Sequence, residues 1–199
     1  MTNATPGNRS ARERLLAAAD ELFYHEGVHT VGIDRVIAHA GVAKASLYKA
    51  FGSKEELIKA YLQRRQEGRQ QRLMQTLAHY ATPRERLLGV FDALAERATQ
   101  AGFHGCAFIN ASAESKPGSS VETACDSARS WMKQLFLQLS EQCAVADAPE
   151  LAQRLVLLYD GALVAAKMDR NPAAAHTAKA VASALLAAAV RCVPARSVR

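Results

Sequence analysis

Lys44, Ala45, Tyr48 and Lys49 have types and a spacing that suit contact with a nucleic acid. They fall at i, i+1, i+4 and i+5, so a helix would carry them on one face. Lysines there can pair with phosphate or guanine, and alanine can meet a thymine methyl. Leu47 and Phe51, at i+3 and i+7, fall off that face. Upstream, Ile33, Val36, Ile37 and Ala40 form a two-turn apolar stripe, and Gly41 follows. A tight turn at Ala40-Gly41-Val42-Ala43 needs a residue that tolerates positive φ, which Gly41 supplies. With Val42 and the stripe packed against Leu47 and Phe51, the lysines and Tyr48 must face outward. Two short helices joined in this way make a helix-turn-helix with a basic and aromatic outer face. A lysine on a helix surface is more often simply solvated, so this geometry alone leaves both readings open.

The elements that position this stretch follow from composition. The chain has 199 residues, of which 49% are hydrophobic and 40 are alanine. Only 11 glycines and 6 prolines interrupt it, so the expectation is all-α, with about nine helices, and not a turn-rich barrel or sandwich. Residues 1–9 read as a loose tail. A helix follows from Ser10 to Gly27, then the two short helices, ending at Gly41 and Gly52. Ser53 and Glu56 suit a capping box that opens a long charged helix to about Tyr80. Pro83, Pro149 and Pro172 each open a later helix. Cys106–Ala113 and Val121–Cys143 read as two more, separated by the loop Lys116-Pro117-Gly118-Ser119-Ser120. The net charge is +6. The first 72 residues hold twelve basic and eight acidic side chains, so the excess is denser toward the N-terminus.

Several chemistries are disfavoured. Cys106, Cys125, Cys143 and Cys192 contain no C-x-x-C pair, against a structural zinc site or a disulfide framework. No catalytic set, metal site or cofactor is expected. His104 and Cys106 lie at i and i+2 and do not face each other on a helix, which leaves an all-helical enzyme a remote alternative. The first ten residues have no apolar core of a signal peptide. The late apolar run Ala180–Val190 is 11 residues long, short of a bilayer span of about 20. The reading is a cytoplasmic protein with no membrane partner.

From about Ser10 to Leu62 the chain resembles the TetR family of bacterial transcriptional regulators. The residues that carry this are Leu15-x6-Leu22-Phe23, Gly27, Ile33-x2-Val36-Ile37, Ala40-Gly41-Val42, Leu47-Tyr48-x2-Phe51 and Ser53-Lys54-x2-Leu57. The resemblance implies a DNA-binding head over residues 10–55 and a ligand-binding and dimerisation body over 56–199, joined by the long fourth helix. It implies a homodimer that sits on a palindromic double-stranded operator as a repressor. An effector then moves the fourth helix so that the two heads no longer match the DNA. Carried over to this chain, Tyr48 and Lys54 match positions that grip phosphates. Lys44, Ala45 and Lys49 match positions that face bases or backbone, and Thr30, Gly41, Ala43 and Ser46 complete the expected DNA-contacting set. The chain departs from the family in three places. Ala43 stands where Ser or Thr often caps the recognition helix, at a cost of about 1 kcal/mol. Ala50 replaces a common His before the Phe, and Gly32 replaces Ser or Thr at the start of the second helix.

In the body, Leu151, Leu155, Leu158, Ala162 and Ala165 on one helix, with Ala180, Ala184, Leu185 and Ala188 on the next, are expected at the dimer interface. Candidate effector-lining residues are Phe91, Phe103, Cys106, Phe108, Asn110, Trp131, Phe136 and Tyr159. The effector expected there is small and mainly apolar, oriented by one or two polar groups. Two alternatives stay open: a DNA-binding regulator without a small effector, and a redox or electrophile switch at Cys106, which follows Gly105 at a helix start.

Overall fold

The computed structural model describes residues 9–191, and these form nine helices with no strand among them. They are α1 (Ala11–Glu26), α2 (Ile33–Ala40), α3 (Lys44–Phe51), α4 (Lys54–Leu77), α5 (Pro83–Thr99), α6 (Ala107–Glu114), α7 (Ser120–Gln142), α8 (Ala148–Met168) and α9 (Ala173–Arg191). Residues 1–8 and Cys192 lie outside the described residues. The chain divides into two compact units. The first holds residues up to Glu67 together with Ala107–Ser127, and the second holds Gly68–Cys106 and the chain from Ala128 onward. This partition differs from a division at 55/56: it gives the first half of α4, all of α6 and the start of α7 to the head.

In the first unit, α1 begins with a capping box. The Ser10 hydroxyl accepts the Glu13 N–H at 3.2 Å, and the Glu13 carboxylate accepts the Ser10 N–H at 2.8 Å. These bonds satisfy two of the orphan donors at the helix start. Leu15 and Ala19 on α1, Val36 on α2, Leu47 on α3 and Leu57 and Leu62 on α4 are fully buried together. Tyr61 meets the edge of Phe23 at 5.7 Å. Arg65 of α4 ties back to α1: its guanidinium donates to Asp20 at 2.8 and 3.0 Å and lies over the Tyr24 ring at 3.6 Å. Carboxylates join the later segments to this unit. Glu114 of α6 accepts the His29 N–H at 3.0 Å, and Glu55 of α4 accepts the Ser120 N–H at 2.9 Å, capping α7.

The second unit is a bundle in which α9 packs on α5 and α8. α5 opens with a Thr82–Glu85 capping box and Pro83, and α8 opens on the Asp147 carboxylate, which accepts the Glu150 N–H at 2.9 Å. Phe91, Phe136 and Tyr159 fill its centre as a triangle of rings, with centroids 5.9 to 6.2 Å apart. Burial of each ring contributes about 1.5–3 kcal/mol of transfer free energy. Lys179 of α9 donates to both carboxylate oxygens of Asp92 on α5 at 2.7 Å, and the Tyr80 hydroxyl donates to the same group at 2.9 Å.

The outer face of α8 is not the one expected from sequence. Leu151, Leu155 and Ala162 lie inside the unit's own core, and Leu158 and Ala165 are half-buried. The exposed apolar row is instead Leu157 (74% exposed), Gly161, Val164 and Met168 (74%), at i, i+4, i+7 and i+11. α8 is apolar on both sides, so helical period could not tell the two rows apart. On α9, Ala180, Ala184 and Ala188 are exposed with Val181, as the sequence suggested, while Leu185 is half-buried. By length and composition Ala173–Val190 is apolar enough to cross a bilayer, and 22% of it is buried. Its Lys179–Asp92 ion pair nevertheless places it within the bundle.

Candidate nucleic-acid interface and ligand site

The turn before α3 is held from behind. Gly41 adopts φ 60° and ψ 44°, and a Cβ there would lie 2.8 Å from Nη2 of Arg14. That guanidinium reaches from α1 to clamp the turn: Nε donates to the Ala40 carbonyl at 2.9 Å and Nη2 donates to the Gly41 carbonyl. Any side chain at Gly41 would strain the backbone and displace the clamp. Arg12 of α1 lies over the Phe51 ring at 5.0 Å, which fixes the far end of α3. α3 buries Leu47 and turns Lys44, Ala45, Tyr48 and Lys49 to solvent, with Tyr48 47% exposed. Gly41, Ala43 and Thr30 are exposed beside them, and Ser46 and Lys54 are half-buried. Ala43 occupies the N-cap without a side-chain hydrogen bond, as does Gly32 before α2.

Charge on this face is partly engaged. Lys44 donates to Asp34 of α2 at 2.9 Å, and that hydrogen bond holds its amine above the usual lysine range. Burial pushes Lys54 the other way, against the attraction of Glu114. Lys44 and Lys49 lie exposed at the surface, whereas Lys54 sits deeper.

The second unit contains six of the eight candidate ligand residues. Phe91 and Phe136 are fully buried against each other, so they are core. Tyr159 is 9% exposed, and burial pushes its phenol up to about 12. Phe103, Cys106 and Trp131 are partly buried at the margin of the same cluster. Phe108 and Asn110 belong to the first unit, Phe108 buried and Asn110 half-buried. Arg69 of α4, absent from the sequence expectation, joins the Trp131 group. Its guanidinium donates to the Ala128 carbonyl at 3.0 Å and lies over the Trp131 ring at 5.7 Å. Gly105, before Cys106, has φ +81°, and a Cβ there would meet the Lys167 chain at 2.7 Å.

Residues 15–61, which contain the clamped turn and α3, match the model of the bacterial regulatory proteins of the tetR family. The structure of SCO4454, a TetR-family transcriptional regulator from Streptomyces coelicolor, superposes with a TM-score of 0.86 at 32% identity, covering 90% of this chain and 96% of that one. The chain belongs to the TetR family. Among TetR-type relatives, the transcriptional activator FasR of Mycolicibacterium smegmatis is 38% identical over 91 residues, which span 44% of this chain and 42% of FasR. The transcriptional repressor NemR of Escherichia coli is 29% identical over 170 residues, 80% of this chain and 85% of NemR. These are regulators and not enzymes, and the fold is the TetR fold.

Three features of this TetR-family head and body escaped the sequence reading. Arg12 and Arg14 precede the buried row of α1 and resemble ordinary surface arginines, so their clamping role has no signature in spacing. The Lys44–Asp34 pair joins two helices and is invisible to i, i+4 rules. Arg69 did leave a signal: it lies at i, i+4 and i+8 with Leu73 and Leu77, which are both buried, so a cation stands on an apolar stripe.

Proposed function

We propose that this protein is a homodimeric repressor that binds a palindromic operator and leaves it when a small molecule enters the body. The observation that carries this reading is the α3 face, where Lys44, Ala45, Tyr48 and Lys49 are exposed together behind a turn that Arg14 holds rigid. Tyr48 and Lys54 serve as phosphate contacts and Lys44, Ala45 and Lys49 as groove contacts, flanked by Thr30, Gly41, Ala43 and Ser46. Two linked heads on two half-sites bind more tightly than one head alone, and a two-fold dimer matches a palindromic operator. The exposed rows Leu157-Gly161-Val164-Met168 and Val181-Ala184-Ala188 give the second copy its face, and small residues there let helices approach closely. The repressor acts in the cytoplasm, where its DNA is.

A gel-shift titration with DNA upstream of the protein's own gene tests the reading. The expected result is one sequence-specific shift by a dimer that weakens as salt rises. Equal affinity for unrelated DNA would overturn it.

A thiol switch is the second reading. It is favoured by the half-buried position of Cys106 just before α6, where it acts electrostatically on Arg69 and Tyr159. Treatment with methyl methanethiosulfonate distinguishes the two: under this reading it releases DNA from the wild type but not from Cys106→Ser.

A further inference from the structure

The three ionisable side chains of α2 point in two directions. Arg35 reaches back to α1, where its Nη2 donates to Glu26 at 2.7 Å, and the His39 ring meets Glu21 of α1 at 3.1 Å. Asp34 alone turns forward to α3, where its carboxylate accepts from the Lys44 amine at 2.9 Å. Arg35, its neighbour in sequence, is held by Glu26, so Lys44 is the one cation paired with Asp34 among the described residues. Both side chains of this pair are exposed, as are Ala45, Tyr48 and Lys49 of α3. Lys49 has no ion pair among the described residues. The same helix therefore carries one lysine tied to a carboxylate and one that is not.

A negative charge beside a DNA-reading helix opposes affinity for every sequence, because it repels each phosphate. An exposed ion pair also contributes little to folding. The effect of Asp34 falls instead on what Lys44 can bind. A lysine amine has three donors on a flexible stem, and left alone it meets any phosphate within reach. Held by Asp34, it keeps two donors for a further acceptor. A neutral acceptor such as guanine O6 or N7 can take them with the carboxylate still in place. A phosphate must either crowd the carboxylate or displace it.

We propose that Asp34 is a specificity-determining residue: it holds the Lys44 ammonium so that this cation serves a guanine edge in the major groove and not the DNA backbone. This rests on the reading of the α3 face as the DNA surface and says how one of its cations tells sequences apart.

The test uses two duplexes of equal length, one enriched by the wild-type protein from a random-sequence pool and one unrelated to it. Affinities are read by fluorescence anisotropy over a series of salt concentrations. Asp34→Asn keeps the shape and loses the charge. It should bind the unrelated duplex about 2–10-fold more tightly, with a salt slope steeper by about one for each head in contact. The ratio of affinities for the two duplexes should therefore narrow. The narrowing should persist when Lys49→Met is added and vanish when Lys44→Met is added, because Asp34 holds Lys44 alone. Guanines of the enriched duplex are also replaced singly by 7-deazaguanine, which lacks N7. One replacement should weaken the wild type and leave Lys44→Met unaffected. Circular dichroism checks that each variant folds, and Asp34→Ser decides if Asp34→Asn does not. An unchanged ratio in Asp34→Asn, equal narrowing with and without Lys44, or no guanine whose effect depends on Lys44 would overturn the proposal. If the wild type enriches no sequence from the pool, the operator reading falls and the role of Asp34 falls with it. If it enriches one and the ratio ignores Asp34, the operator reading stands and only the role of Asp34 falls.

Discussion

The head and the body use charge in opposite directions. In the first unit the cations proposed to face DNA stand at the surface, and three arginines of that unit work as clamps: Arg14 on the turn, Arg12 on Phe51 and Arg65 on Asp20. In the second unit one cation, Arg69, is drawn inward beside Trp131, and Lys179 holds Asp92 in a half-exposed pair. A surface that reads a polyanion must display its charge and hold it rigidly. A body that selects a small molecule must keep its polar groups few and partly dry, because there each one discriminates strongly. Substitutions should therefore separate cleanly: those in the head alter DNA affinity at little cost in stability, and those in the body alter stability, assembly or ligand response.

The largest expected effect is on assembly. Ala184→Glu puts a carboxylate on the exposed row of α9, and in a dimer the two copies would oppose like charges. Sedimentation should show a monomer, and operator affinity should fall by about two orders of magnitude or more once the two heads are no longer linked. A variant that stays dimeric and binds normally would move the interface elsewhere.

Next comes a pair of aromatic truncations. Phe136→Ala should cost about 3–5 kcal/mol in urea unfolding, since the ring is fully buried against two others. Tyr48→Ala should change stability by no more than about 0.5 kcal/mol while weakening DNA binding. Similar stability losses for the two would remove the contrast between the units.

Lys44→Ala should weaken specific binding by about 1–3 kcal/mol if the amine reads a base. If it touches only phosphate, the loss should be uniform across sequences and the salt slope should drop by about one. Unchanged affinity for every DNA would remove Lys44 from the interface. Smaller still, Ala43→Ser should add about 1 kcal/mol of stability by supplying the missing cap of α3. The last effect appears only in alkali. A phenol raised in the folded state keeps its proton while the unfolded chain loses its own, so Tyr159 contributes stability that is present below about pH 10 and is lost as pH rises toward 12. Tyr159→Phe should flatten that decline in a melting-temperature series.

The same contrast explains what the sequence could convey. Helix ends were readable wherever a single residue type sets them: Gly41 and Gly52 close α2 and α3, Ser10 and Pro83 open α1 and α5, and the structure agrees within a residue or two. The outer face of α3 followed from period, because an eight-residue helix that buries Leu47 leaves little choice of side. On α8 period failed, since both Leu155 and Leu157 suit a buried row and only tertiary packing separates them. The arginine clamps of the head were harder to read for a related reason. A long cationic side chain looks alike in sequence whether its head is solvated or turned inward.

The most direct test of the central claim is a DNase I footprint of the wild-type protein on the DNA upstream of its gene, repeated with rising salt. The account predicts a two-fold symmetric protected region with half-sites about 10 base pairs, or a multiple of that, apart, and protection that fades as salt rises. A sedimenting dimer that gives no bounded footprint, or coats the fragment without regard to sequence, would contradict it.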